Sequence, residues 1–274
     1  MLKLKRFFDF YLDASIHVGF AVGSLVWISC LLLNIMVSNA LLLFTFFGTI
    51  VCYNFIKYGV EAKKYLIVSK SYHRKIQLFS FFSFLLALFF LSQLGTEVWA
   101  AVFGLSVLSL VYALPFLPNA RNLRSLAGFK IYIVGLVWTG ITVVLPILQV
   151  QRSLDWDIGV FLVQRFVLII LLMLPFEIRD MQSDYPGLRT VPQVLGLQRT
   201  KILGFFLILV FWILTFLRDS ISVMEITART LLSLVLLLVF LGIKQNQPKY
   251  LASFWIEAIP MFWMISIFVV RELG

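Results

Sequence analysis

Nine stretches of this chain are apolar for long enough to cross a bilayer, and that constrains its fold more than any other feature. They lie near Ser15–Val37, Ala40–Tyr58, Ile76–Leu94, Val98–Leu117, Ile131–Val150, Ile158–Phe176, Ile202–Leu217, Thr227–Ile243 and Leu251–Val270. A segment inside lipid must satisfy every backbone N–H and C=O internally, which leaves helices or a closed barrel. Runs of this length suit helices; barrel strands would be half as long and would alternate. The expectation is an all-α polytopic membrane protein, with nine transmembrane helices bundled around a central cavity and residues 1–274 forming one domain. With 61% hydrophobic residues and 28 Phe, the chain is too apolar for a soluble core. The first run lacks a small-residue cleavage site and is followed by many others, so it is expected to remain as a span.

The basic residues set the orientation. Lys3, Lys5, Arg6, Lys57, Lys63, Lys64, Lys70, Arg74, Lys75, Arg121, Arg124, Lys130, Arg179, Arg189, Arg199, Lys201, Lys244 and Lys249 fall on one side. Arg152, Arg218, Arg229 and Arg271 fall on the other, and Arg165 lies within a span. Eighteen against four places the N-terminus in the cytoplasm and the C-terminus outside. The net charge of +10 is therefore read as topology signal and headgroup contact, with no nucleic-acid partner. Cys30 and Cys52 sit in apolar runs without CxxC spacing, which gives no sign of a zinc site or a disulfide.

The longest polar interval, Glu177 to Lys201, lies on the cytoplasmic side. Asp180 and Asp184 are one helical turn apart, and Glu177 falls within about 60° of their stripe. Three carboxylates on one face repel unless a cation sits among them. Hard divalent ions such as magnesium take such oxygens and complete their shell with phosphate and water. Arg189, Arg199 and Lys201 follow and can meet phosphate oxygens. The same spacing is compatible with a solvated inter-helix loop. A second polar stretch, Asn54–Lys64, closes the second span, and there Asn54, Lys57, Tyr58 and Glu61 share a helical face. Taken alone, it reads as a helix end with snorkelling lysines.

Together the two stretches resemble those of the UbiA superfamily of intramembrane prenyltransferases, including its menaquinone-precursor branch. Arg179, Asp180, Asp184, Gly187, Thr190 and the closing Leu195–Gly196 resemble that family's second acidic motif. Nine helices and two cytoplasmic motifs, at the ends of helices two and six, extend the likeness along the chain. The first motif departs from the family pattern: Asn54 is kept, but Phe55, Tyr58 and Ala62 stand where acids are expected. Glu61 is the remaining carboxylate of that face.

The resemblance implies magnesium-dependent transfer of an isoprenoid chain from a prenyl diphosphate to an aromatic or other apolar acceptor, in a bacterial inner membrane and in quinone biosynthesis. It implies Asp180 and Asp184 as catalytic and metal-holding residues, with Glu177 as a further ligand. Asn54, Lys57, Lys70, Arg74, Lys75, Tyr112 and Arg189 would bind the diphosphate end. Two alternatives stand beside it. A degenerate relative would hold an isoprenoid or quinone lipid, or a protein partner, without turnover. A transporter would fit the helix number but lacks broken helices and paired midplane charges. Arg165 and Glu257 are intramembrane charges, read here as an inter-helix ion pair.

Overall fold

The computed structural model describes residues 2–58, 71–114 and 128–273. Among them no strand occurs, as a chain obliged to satisfy its backbone within lipid requires. Eight helical segments among the described residues are long and apolar enough to cross a membrane. They are α3 (Asn39–Tyr58), α4 (Ser71–Leu91), α5 (Thr96–Ala113), α6 with α7 (Lys130–Thr139 and Leu145–Gln149, joined through a π-helical turn at Gly140–Val144) and α8 (Trp156–Asp180). The rest are α9 (Val191–Ile213, continuing to Leu217), α10 (Val223–Gly242), and the Leu251–Glu272 span made of a π-helical turn and α11 (Ile259–Leu273). A ninth crossing is made if α1 (Leu2–Asp13) and α2 (Ile16–Leu32), which bend by 55° at Ala14–Ser15, count as one broken span.

The helices close a ring. Helix α2 packs on α3 and α11, α3 on α4, α6 on α8, and α8, α9, α10 and α11 follow one another back to α2. Helix α8 is the hub: 67% of its apolar window is buried inside the protein, against 11% for α5 at the rim. Lipid is as apolar as a core residue, so a peripheral helix loses little by leaving its face outside, and Phe81, Phe82, Phe89 and Phe103 do so.

The predicted spans recur with shifted ends. The sixth runs on to Asp180, and the seventh begins at Val191 rather than Ile202, with Gly196 at φ 75° forming a kink inside it. Only glycine adopts that left-handed backbone without strain. A six-residue π-helical turn at Leu251–Ile256 immediately precedes Glu257. The first span was expected to begin at Ser15. It is preceded by a 12-residue helix whose Leu4 and Phe7 are exposed, the form of a helix lying at an interface.

Candidate active site

The carboxylate stretch starts on α8 and continues past its end. Helix α8 stops at Asp180, and the Asp184 N–H still bonds the Asp180 carbonyl at 2.8 Å, so Asp184 sits one turn above Asp180 without belonging to the helix. A short 3₁₀ turn at Pro186–Leu188 leads back to α9. Gln193 secures the return: its Oε1 accepts from the Thr190 N–H at 3.0 Å, and its Nε2 donates to the Asp184 carbonyl at 3.1 Å.

Each aspartate has a cation of its own. Arg179 grips Asp180 with two bonds, Nε to Oδ1 at 2.7 Å and Nη2 to Oδ2 at 2.9 Å, and stacks over Phe176 at 5.3 Å. Lys130, the first residue of α6, donates to Asp184 Oδ2 at 3.1 Å. Glu177 is buried, and its Oε2 has no hydrogen-bond partner among the described residues. In this arrangement no three His, Cys, Asp or Glu groups among the described residues stand close enough to share a metal ion. Two cations hold the aspartates to themselves, so the three-carboxylate cluster expected from spacing is present in one region without being assembled. The donor set nonetheless fits a hard divalent ion: three carboxylates, one with a buried oxygen lacking a donor, within each other's electrostatic field.

One turn along α8 from Glu177, Met173 lines a cavity of about 420 Å³. Its polar wall is Lys57 and Tyr53 from α3, Tyr112 and Ser109 from α5, and Trp138 from α6. Trp138 donates its indole N–H to the Tyr53 hydroxyl at 3.0 Å. Cys52, Ile56 and Ser109 also line a second cavity of about 410 Å³ between α3, α4 and α5, whose wall is nearly all aliphatic and aromatic. The two cavities share these residues in their walls, the first being the more polar chamber of the two. Glu257 shares its electrostatic surroundings with Lys57 and Arg179, which makes it a third charged group of this centre.

Several expected residues lie elsewhere. Asn54 does not face the carboxylates: its Oδ1 accepts from Ser15 Oγ at 2.8 Å, while its Nδ2 donates to the Ala14 carbonyl at 3.0 Å and to Ser80 Oγ at 2.8 Å. Its amide is fully used at the bend between α1 and α2. Lys57 reaches both worlds, lining the cavity while its ammonium donates to Ser15 Oγ at 3.0 Å. Tyr58 donates to the Asp13 carbonyl at 3.1 Å. Asn54, Lys57 and Tyr58 thus staple the end of α3 to the α1–α2 bend; of the positions that depart from the family's first motif Tyr58 takes part, Phe55 is exposed, and Ala62 lies outside the described residues. Arg74 and Lys75 are exposed on the first turn of α4, Arg189 is exposed at a left-handed residue (φ 45°), and Lys70 and Glu61 lie outside the described residues. Lys201 is not aimed at a phosphate; it caps α10 by donating to the Leu241 and Ile243 carbonyls at 3.0 and 3.3 Å. The Arg165–Glu257 pair does not form. Arg165 bonds the Leu25 carbonyl and Ser29 on α2, at a different depth from Glu257.

Lys130, Tyr53 and Glu257 join this centre without having been singled out for it. Lys130 carried only the signal of a basic residue at a helix start, and Glu257 only that of a charge within a span.

No family model matches the chain, and no curated protein matches its sequence. Solved structures do resemble it. A UbiA homolog from Archaeoglobus fulgidus bound to GPP and Mg2+ superposes with a TM-score of 0.60 at 14% identity, covering 96% of this chain and 99% of that one. The same homolog bound to Cd2+ gives 0.58 at 15% identity over 95% and 96% of the two chains. A digeranylgeranylglyceryl phosphate synthase structure gives 0.54 at 13% identity, over 100% and 99%. This integral membrane protein therefore has the polytopic, all-helical UbiA fold.

Proposed function

We propose that the chain is an intramembrane prenyltransferase, moving an isoprenoid chain from a prenyl diphosphate to an aromatic or other apolar acceptor with magnesium as cofactor. One observation carries the reading: a chamber whose wall includes Lys57, Tyr53 and Tyr112 shares Cys52, Ile56 and Ser109 with an apolar cavity between α3, α4 and α5, and the carboxylates begin one turn along α8 from its Met173. An amphiphile with an anionic head and a long apolar tail is the ligand that matches both halves. The fold is that of proteins solved with GPP and Mg2+ and with DMAPP and Mg2+, which supports the same class of donor.

Glu177, Asp180 and Asp184 would hold the magnesium, which when bound supplies positive charge against a leaving diphosphate. The chain's own cations complete that field. Lys57 lines the polar chamber, Arg179 holds Asp180, and Lys130 is poised at Asp184. Arg74, Lys75 and Arg189 stand exposed on the polar rim and would meet the diphosphate on entry. Tyr53 and Tyr112 line the chamber, and aromatic quadrupoles there would favour a developing allylic cation. The wall of Phe44, Phe84, Leu88 and Leu105 keeps water from the cation and holds the tail. The decisive experiment is pyrophosphate release by the purified protein with a panel of prenyl diphosphates and acceptors, with and without magnesium. Release that needs magnesium and both substrates establishes the activity; no release with any pair refutes it.

A second reading, a lipid-binding relative without turnover, is favoured by the use of Asn54 and Lys57 as staples at the α1–α2 bend. It predicts tight, saturable binding of a prenyl diphosphate with no pyrophosphate formed.

A further inference from the structure

Helix α1 packs on the bundle with its inner turns and stands clear of it with its outer one. At about 100° per residue, Leu4, Phe7, Phe8, Tyr11 and Leu12 form one apolar stripe. The bundle takes the second half of that stripe. Phe8 meets the Tyr250 and Phe254 rings at 5.4 and 5.2 Å, the Tyr11 hydroxyl pairs with His17 Nδ1 at 2.8 Å, and Leu12 is buried. From the helix's other flank, Phe10 meets Tyr72 and Phe79 of α4 at 6.3 and 6.0 Å. One turn further out the stripe is uncovered: Leu4 is 76% and Phe7 73% exposed. Lys5 and Arg6 are exposed too, and their mean direction is about 180° from that of Leu4 and Phe7.

The acids of α1 are already engaged. Asp9 Oδ1 accepts from the Tyr250 hydroxyl at 2.8 Å and from Lys249 Nζ at 3.3 Å. Asp13 Oδ2 accepts from the Tyr72 hydroxyl at 2.8 Å. Lys5 lies one turn from Asp9 and feels its charge without bonding it. Among the described residues neither Lys5 nor Arg6 makes a salt bridge or a side-chain hydrogen bond. The outer turn, Leu4–Phe7, therefore carries two unbonded cations on one side and two uncovered apolar side chains on the other, with no acid between them.

The medium that matches this turn is a bilayer surface. Helix α2 is 17 residues long, about 26 Å at 1.5 Å per residue, so it crosses most of a hydrocarbon core about 30 Å thick by itself. That puts the 55° bend near the membrane boundary and turns α1 out of the line of α2. Phe7 lies seven residues from Ala14, about 10 Å along the helix, so the uncovered pair stays within reach of the acyl chains. Leucine and phenylalanine on one face with lysine and arginine on the other are the pattern of a helix lying in the interface plane. The cations select among surfaces, because an anionic leaflet attracts each basic side chain held close to it.

We propose that the outer turn of α1 docks on the membrane surface, with Leu4 and Phe7 entering the acyl boundary and Lys5 and Arg6 holding the headgroups of anionic phospholipid. The docking is independent of the transferase reading. It anchors the same bend that Asn54, Lys57 and Tyr58 grip from α3.

The test places the full chain in nanodiscs of phosphatidylcholine with and without phosphatidylglycerol. A nitroxide is attached at Phe7→Cys, with Cys30 and Cys52 replaced by alanine, and its collisions with oxygen and with a water-soluble nickel chelate report depth. With phosphatidylglycerol present the label is expected to meet oxygen and be hidden from the chelate. Without it, or with Lys5→Gln and Arg6→Gln together, the label is expected to move toward water. A second measurement leaves the cysteines in place: the preference of the chain for spin-labelled phosphatidylglycerol over phosphatidylcholine is expected to fall in the Lys5→Gln, Arg6→Gln variant and at high salt. A label in water when phosphatidylglycerol is present overturns the docking, and a label shielded from both oxygen and chelate has met protein and overturns it too. A label equally deep without phosphatidylglycerol, or a lipid preference unchanged in the double variant, overturns the selection of anionic headgroups.

Discussion

Lys57 is the residue on which the proposed chemistry turns, because it serves two places at once. Its ammonium donates to Ser15 Oγ at the α1–α2 bend, and its side chain lines the polar chamber. If its ammonium meets diphosphate oxygens where a second magnesium would otherwise sit, Lys57→Met is expected to weaken binding of a non-hydrolysable prenyl diphosphate analogue by about 1–3 kcal/mol, the range for a lost charge-assisted bond. A residue that merely holds α1 would lower the unfolding midpoint and leave the analogue's Kd unchanged, so calorimetric binding and thermal unfolding on one variant separate the two. Asp180 gives the complementary case. Asp180→Ala frees Arg179 and removes a hard oxygen ligand, so magnesium-dependent analogue binding is expected to fall to the magnesium-free level. Analogue affinity that still responds to magnesium in that variant would remove Asp180 from the metal set. The carboxylates were legible from their spacing. Their private cations were not, since Lys130 is far from Asp184 in sequence, and no local pattern announces a contact made across a fold.

At the scale of the elements, the spans could be read because the bilayer fixes their length and polarity together. The ends could not, because they are set by packing and caps. Helix α8 shows why: its N-cap Asp155 accepts from the Ile158 N–H at 2.8 Å, and Pro175 is accommodated deep inside it, its carbonyl taken by Gln247 from the loop after α10. The Ile158 N–H, and then Arg152, hold the Asp155 carboxyl below the ordinary carboxylate range. A depressed folded pKa contributes stability that is present above the unfolded value, about 3.9, and is lost as pH falls through the folded one. Asp155→Asn is therefore expected to unfold with a shallower pH dependence in that acidic window, measured by denaturant titration at several pH values. Helix α1 was missed for a different reason: its charged residues hide an apolar face that is short and lies along an interface. The α9–α10 contact gives a sharper test. A Cβ on Gly204 would sit 2.1 Å from the fully buried Phe240 ring, so Gly204→Ala is expected to destabilise the protein by about 1–3 kcal/mol, the range for overpacking. An unchanged unfolding midpoint would show that α9 and α10 are free to separate.

Across the whole molecule, the two ends of α8 divide the labour: carboxylates and a chamber at one, a buried arginine network at the other. The fold class and the region of the site follow from hydropathy and spacing, since both are local or periodic. The chamber itself is made by residues of α3, α5, α6 and α8 that share no periodicity with one another, and so it emerges only once the ring has closed. The proposal that the carboxylate end faces the cytoplasm rests on charge. Residues outside the spans at the carboxylate end include Lys244, Lys249 and Arg189, whereas the opposite end keeps Arg152 and Arg218 engaged with Asp155, Asp157 and Glu225. Basic loops resist translocation, and loops whose positive charge is matched by nearby carboxylates are few and short here. Lys130 at the start of α6 and Arg152 just beyond α7 bracket one span. Reporter fusions at those two positions are therefore expected to report opposite sides, with Lys130 cytoplasmic. Both reporters on one side would mean that Lys130–Gln149 does not cross the membrane. Opposite sides with Arg152 inside would put the carboxylates at the external face, away from any cytoplasmic supply of prenyl diphosphate, and would refute the transferase orientation proposed above.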